Sequence, residues 1–133
     1  MYKDGSGSLT VRTFLASEAL PISDAVVRIS GADEENSGLE YSLITDIDGV
    51  TDKINLKAPS SRYSQSPHPA EAPYLSYDVE VLKEGYYTKK IYGLPIFDNV
   101  STTLPVSMIP VDNKEAIPKS NLITRIYEDL GVI

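Results

Sequence analysis

Residues 74–87, YLSYDVEVLKEGYY, constrain the fold more than any other part of the chain. Leu75, Tyr77, Val79 and Val81 alternate with Ser76, Asp78 and Glu80, which is the period of a β-strand with one side in a core and the other in water. Lys83-Glu84-Gly85 then supplies turn chemistry into a partner strand predicted over residues 86–92. A hairpin with one apolar side must be covered by another layer, so the rest of the chain has to provide a second sheet or helices.

The remaining segments supply strands. In residues 9–15, Leu9, Val11, Thr13 and Leu15 share a phase, with Thr10 and Arg12 opposite and Phe14 out of phase, placed to cover an edge. Leu20-Pro21-Ile22-Ser23-Asp24 is turn chemistry, followed by a strand with Ala25, Val27 and Ile29 inward. The acidic loop 31–38, GADEENSG, reads as solvated, and residues 39–45 place Leu39, Tyr41, Leu43 and Thr45 in one phase. Asp46-Ile47-Asp48-Gly49 is a turn, read as a hairpin into a strand over 51–57 with Ile54 and Leu56 inward. Residues 100–110 form a last strand with Val100, Thr102, Leu104, Val106 and Met108 in register, and Pro105 marks it as an edge.

Two segments lack strand periodicity. Residues 58–73, APSSRYSQSPHPAEAP, hold four prolines and four serines and form a long loop, a length at which loops are usually functional or disordered. In the tail, Leu122, Ile126 and Leu130 recur every four residues beside Ile123, Ser120 or Asn121 can cap, and Gly131 can terminate: a short amphipathic helix. The expected organisation is a flexible N-terminus at 1–7, an all-β domain at 8–112 containing the 58–73 loop, and a linker with a short helix at 113–133. The fold class is a seven-stranded antiparallel β-sandwich of Greek-key type with a C-terminal helix.

At 133 residues the chain can bury a core of its own, and 41% hydrophobic against 23% charged residues is ordinary for a globular domain. A net charge of -7 gives no basic footprint for phosphate backbones, so nucleic acid is not an expected partner. No stretch approaches the ~20 apolar residues that span a bilayer, so no membrane insertion is expected. The absence of cysteine removes thiol nucleophiles and thiolate metal sites without fixing a compartment.

Candidate chemistry is sparse. The single histidine, His68, lies between two prolines in the long loop, where held catalytic geometry has no sequence support. Asp46 and Asp48 lack the twelfth-position glutamate of a calcium loop, which falls on Lys57, and read as turn residues. No metal, cofactor or catalytic residue is therefore assigned, and the chain is read as a non-enzyme. Arg12 occupies the first-strand position where an internal isopeptide bond would need a lysine, so none is expected. Nine tyrosines without tryptophan are the remaining signal. Tyr86 and Tyr92 fall in one phase of the predicted 86–92 strand, a platform for glycan or protein contact unless it is ordinary cross-strand packing. Arg62 and Tyr63 in the long loop are the second candidate binding patch.

Three stretches, Leu20-Pro21-Ile22-Ser23-Asp24-Ala25-Val26-Val27-Arg28-Ile29, Thr45-Asp46-Ile47-Asp48-Gly49 and Gly85-Tyr86, resemble in order and spacing the carboxypeptidase regulatory-like domain, a transthyretin-like (prealbumin-like) β-sandwich. The chain departs from that pattern after Gly49, where Val50-Thr51 replaces the usual aromatic residue, and in the length of the 58–73 loop. Residues 77–81, Gly85-Tyr86-Tyr87, 95–98 and 108–110 also resemble the N-terminal domain of clostridial spore-cortex-lytic enzyme precursors and related peptidoglycan-associated proteins. That resemblance implies a non-catalytic accessory or protein-interaction module of a cell-envelope or spore protein. A peptidoglycan-binding module using exposed tyrosines and a structural spacer are the alternatives. The apolar stripe of the tail helix must pack on the sandwich, on a second copy or on a downstream domain, and the resemblance implies that the helix is a junction to a further part of the protein.

Overall fold

The computed structural model describes residues 4–60 and 73–111. Seven strands form two facing sheets: β1 (Asp4–Leu15), β2 (Val26–Gly31), β3 (Glu40–Ile44), β4 (Ile54–Pro59), β5 (Tyr74–Leu82), β6 (Lys89–Phe97) and β7 (Ser101–Met108). One sheet has the order β4-β1-β7, the other β3-β2-β5-β6. The predicted C-terminal helix, Arg62, Tyr63 and His68 lie outside the described residues.

The period-2 patterns set the core. Leu9, Val11, Leu56, Ala58, Val106 and Met108 from the first sheet meet Ala25, Val27, Ile29, Leu75, Tyr77, Val79, Val81 and Ile96 from the second, all buried. A buried side chain of valine, leucine or isoleucine size contributes ~1.5–3 kcal/mol, which is enough to hold two sheets together without disulfides. Tyr77 is fully buried, and its hydroxyl donates to the Lys57 carbonyl at 2.6 Å, joining β5 to β4 of the opposite sheet.

Four expectations change. The first strand starts at Asp4, because residues 4–7 pair with β4 from Pro59 back to Leu56 instead of fraying. The sandwich is not wholly antiparallel: β7 runs parallel to β1, from Ser8↔Ser101 to Leu15↔Met108. The reason is the crossover after β6. Asp98 and Asn99 bond to Ser6 at the start of β1, so β7 begins beside that start and must run the same way. The turn at 46–49 is not a hairpin, since β3 and β4 belong to different sheets and the turn carries the chain between them. The acidic loop is not simply solvated. Asn36, 1% exposed, accepts from the Asp33 N–H and donates to the Ser76 carbonyl, while Asp33 accepts from the Ser76 N–H at 2.6 Å. These bonds fasten the loop to β5, and of its acids Glu34 and Glu35 are exposed while Asp33 is half-buried.

The end of the sandwich at residues 45–51 is stitched by threonine hydroxyls. Thr13 and Thr45 both donate to the Ile22 carbonyl at 2.8 Å, Thr45 also accepts from the Ala25 N–H, and Thr51 accepts from the Val11 N–H. Asp46 Oδ1 accepts from the Asp48 and Val50 N–H groups, closing the turn on itself. Gly49 has φ of 77°, and a Cβ there would lie 2.5 Å from the Thr13 carbonyl oxygen. The Thr-Asp-x-x-Gly sequence is thus an anchor for β1, with its carboxylate directed at backbone.

Candidate functional site

The outward side of the four-stranded sheet forms an open groove of about 730 Å³. Strand register arranges it in rows across the strands. Ile44, Val26 and Leu82 form an apolar row, Ser42, Arg28, Glu80 and Lys90 a charged row, and Glu40, Ser30 and Asp78 a polar row. These are the positions left over when the alternate residues of each strand enter the core, and most of them line the groove.

In the charged row Glu80 lies between two cations. Its carboxylate oxygens are 3.9 Å from Arg28 Nη1 and 4.0 Å from Lys90 Nζ, longer than a charge-assisted hydrogen bond. The side chains of Arg28, Lys90 and Glu80 retain 62%, 55% and 32% of their exposure, so these loose pairs are accessible to a ligand.

A β-bulge completes the site. Tyr77 pairs with Leu94 and Val79 with Ile91, so Asp78 alone faces both Tyr92 and Gly93. Gly93 takes a φ of 70°, open to glycine at little steric cost, and its N–H donates to Asp78 Oδ1 at 3.0 Å. Tyr92, 71% exposed, stands at this bulge and lines the groove. Along the same outward side, Tyr74 and Phe97 pair across β5 and β6 with ring centroids 5.4 Å apart.

The expected Tyr86–Tyr92 platform does not form. β6 begins at Lys89, after a turn in which the Tyr86 N–H donates to the Lys83 carbonyl. Tyr86 then bridges to Pro110 beyond β7, and its half-buried ring packs against the core. Tyr92 lines the groove, and Tyr86 packs against the core. Arg28, Glu80, Lys90 and Asp78 are the site residues that the sequence reading did not single out. The outward phase of Asp78 and Glu80 was legible, but only the pairing of β2, β5 and β6 brings the charges into one row. Arg12 stands over the Phe14 ring at 4.9 Å from its centroid and belongs to the other sheet.

No group of three or more histidine, aspartate or glutamate side chains suited to a metal occurs among the described residues, and no helix among them is long and apolar enough to cross a membrane.

No protein-family profile and no curated protein sequence matches this chain. Solved structures do match its fold. Catechol 1,2 dioxygenase from Acinetobacter radioresistens aligns at TM-score 0.57 with 12% identity, covering 88% of this chain and 55% of that one. A candidate carbohydrate binding protein from Bacteroides uniformis aligns at 0.52 with 9% identity over 78% of this chain and 41% of its own. The Bacillus anthracis TIE protein aligns at 0.50 with 18% identity over 80% and 17%. The chain therefore spans less than two thirds of each of these proteins, and the likeness is one of β-sandwich fold.

Proposed function

We propose that this chain is a non-catalytic accessory module, of carboxypeptidase regulatory-like type, in a cell-envelope or spore-peptidoglycan protein, making its contact through the outward side of the four-stranded sheet. The observation that carries the reading is the groove at Tyr92. An exposed aromatic ring stands at the bulge next to the row that holds two loosely paired cations, all on one outward side of the sheet. The hydroxyls of Thr13, Thr45 and Thr51, by contrast, are engaged by backbone groups. The envelope setting comes from the sequence resemblance, and the fold likeness to a candidate carbohydrate binding protein agrees with a binding module. Contact of residues 113–133 with a second copy or a downstream domain belongs to the same proposal.

The test is retention on insoluble bacterial envelope material, assayed before and after its protein is stripped, with a Lys90→Glu/Tyr92→Ala variant shown to be folded. The reading expects the wild type to be retained and the variant to lose at least tenfold in the retained fraction. Equal retention would move the contact elsewhere on the molecule, and no retention of the wild type on either material would remove the proposal.

A further inference from the structure

We infer that the groove at Tyr92 binds a short oligosaccharide that is neutral or zwitterionic, with one ring against Tyr92 and neighbouring hydroxyls on the row Arg28, Glu80 and Lys90. This rests on the proposed use of that groove and names its ligand.

The argument begins with the ion pairs. At 3.9 and 4.0 Å, the Arg28–Glu80 and Lys90–Glu80 pairs are longer than direct hydrogen bonds. A hydroxyl group both donates and accepts, so a polyol can donate to the Glu80 carboxylate and accept from either cation at once. It enters the row without displacing either ion pair.

The aromatic side chains supply the second half. A pyranose has an apolar C–H side and a polar rim, and the structure places a ring beside polar acceptors and donors at the bulge. Tyr92 rises next to Asp78, in the row adjacent to Arg28 and Glu80. The Tyr74–Phe97 pair continues the outward aromatic surface along β5 and β6, room for more than one sugar unit.

Size and charge favour a small neutral ligand. Each outward residue of a sheet covers ~30 Å², from a strand spacing of ~4.8 Å and a same-side repeat of ~6.7 Å. The polar positions of the groove with Tyr92 thus cover roughly 250 Å² in projection, room for a few sugar rings. A volume of about 730 Å³ is that of a small-ligand site. Glu40, Asp78 and Glu80 outnumber Arg28 and Lys90 in the groove, and the whole chain carries -7, so a polyanionic glycan is repelled.

The experiment is an amide NMR titration of the full chain with neutral tetrasaccharides of N-acetylglucosamine, glucose and mannose, and with a heparin tetrasaccharide as the polyanion. The expected result is saturable shifts at Arg28, Asp78, Glu80, Lys90 and Tyr92 with at least one neutral probe and none with heparin. Tyr92→Ala should weaken that binding at least tenfold, and Tyr92→Phe should stay within threefold of wild type. No response to any neutral probe, binding that survives Tyr92→Ala, or stronger binding of heparin overturns the glycan inference. If the Lys90→Glu/Tyr92→Ala variant still loses retention on envelope material in that case, the interaction module stands with a non-glycan partner. If envelope retention is absent too, both readings fall.

Discussion

Around residues 45–51, threonine hydroxyls and the Asp46 carboxylate are turned onto backbone groups at 2.8–3.0 Å. On the outward side of the β3-β2-β5-β6 sheet, Glu80 stands 3.9 and 4.0 Å from its cations, with its polar partners open to water. Both regions are rich in hydrogen-bonding side chains. The first holds β1 against the chain passing between the two sheets, and its groups have little capacity left for a ligand. The second adds little to stability and keeps its capacity. Bond length, and not residue type, separates the backbone-bound groups of the first region from the loosely paired ones of the second.

The sharpest way to break that contrast is Gly49→Ala. The new Cβ would meet the Thr13 carbonyl at 2.5 Å, a backbone atom that cannot swing aside, and the φ of 77° is unfavourable for alanine. The expected loss is about 3 kcal/mol, a fall in Tm on the order of 10 °C. Thermal unfolding followed by circular dichroism measures it. A shift of only a degree or two would mean that the turn is not the anchor described here.

A smaller effect is expected at Tyr77, an interior polar atom engaged in the same way. Burial pushes its phenol above the usual value of 10.0. The folded state therefore holds the proton more tightly than the unfolded state, and the associated stability is complete below pH about 10. It is lost as the pH rises through the elevated folded value. Tyr77→Phe removes the hydrogen bond to the Lys57 carbonyl, at a cost of about 1 kcal/mol at neutral pH, and removes this residue's share of the alkaline loss. Urea titrations at pH 7 and above pH 10 should show the two proteins converging as the pH rises. A gap that widens instead would reverse the assignment.

Strand positions and core phases were largely legible, because alternation in residues such as Leu75, Tyr77, Val79 and Val81 reports which side is buried without any knowledge of partners. Pairing was not. Nothing local to residues 101–108 says that they lie parallel to β1; that direction follows from Asp98 and Asn99 meeting Ser6, over ninety residues earlier in sequence. The same limit hid the site. Arg28, Glu80 and Lys90 become one row only through two registers, and Tyr92 parts from Tyr86 because a turn at Lys83 and the bridge to Pro110 pull Tyr86 inward. Asn36 reads as a loop residue until its amide is seen on Ser76, forty residues away.

The smallest stability effect, and the one that most sharpens the comparison, is expected at Glu80. Glu80→Gln keeps the shape of the side chain and removes the charge between Arg28 and Lys90. Exposed pairs of this kind contribute ~0.2–1 kcal/mol, less as salt rises. The expected change is within ~0.5 kcal/mol, so unfolding curves of wild type and variant should nearly overlay in 0.15 M salt. Binding should respond quite differently, because the carboxylate is the strongest hydrogen-bond acceptor in the charged row and an amide oxygen replaces it poorly. A variant with native stability and weakened retention on envelope material would place Glu80 on the binding side of the comparison. A loss of stability near that of Gly49→Ala would instead make the charged row a second anchor, leaving Tyr92 and Asp78 at the bulge as the part of the surface still available to a partner.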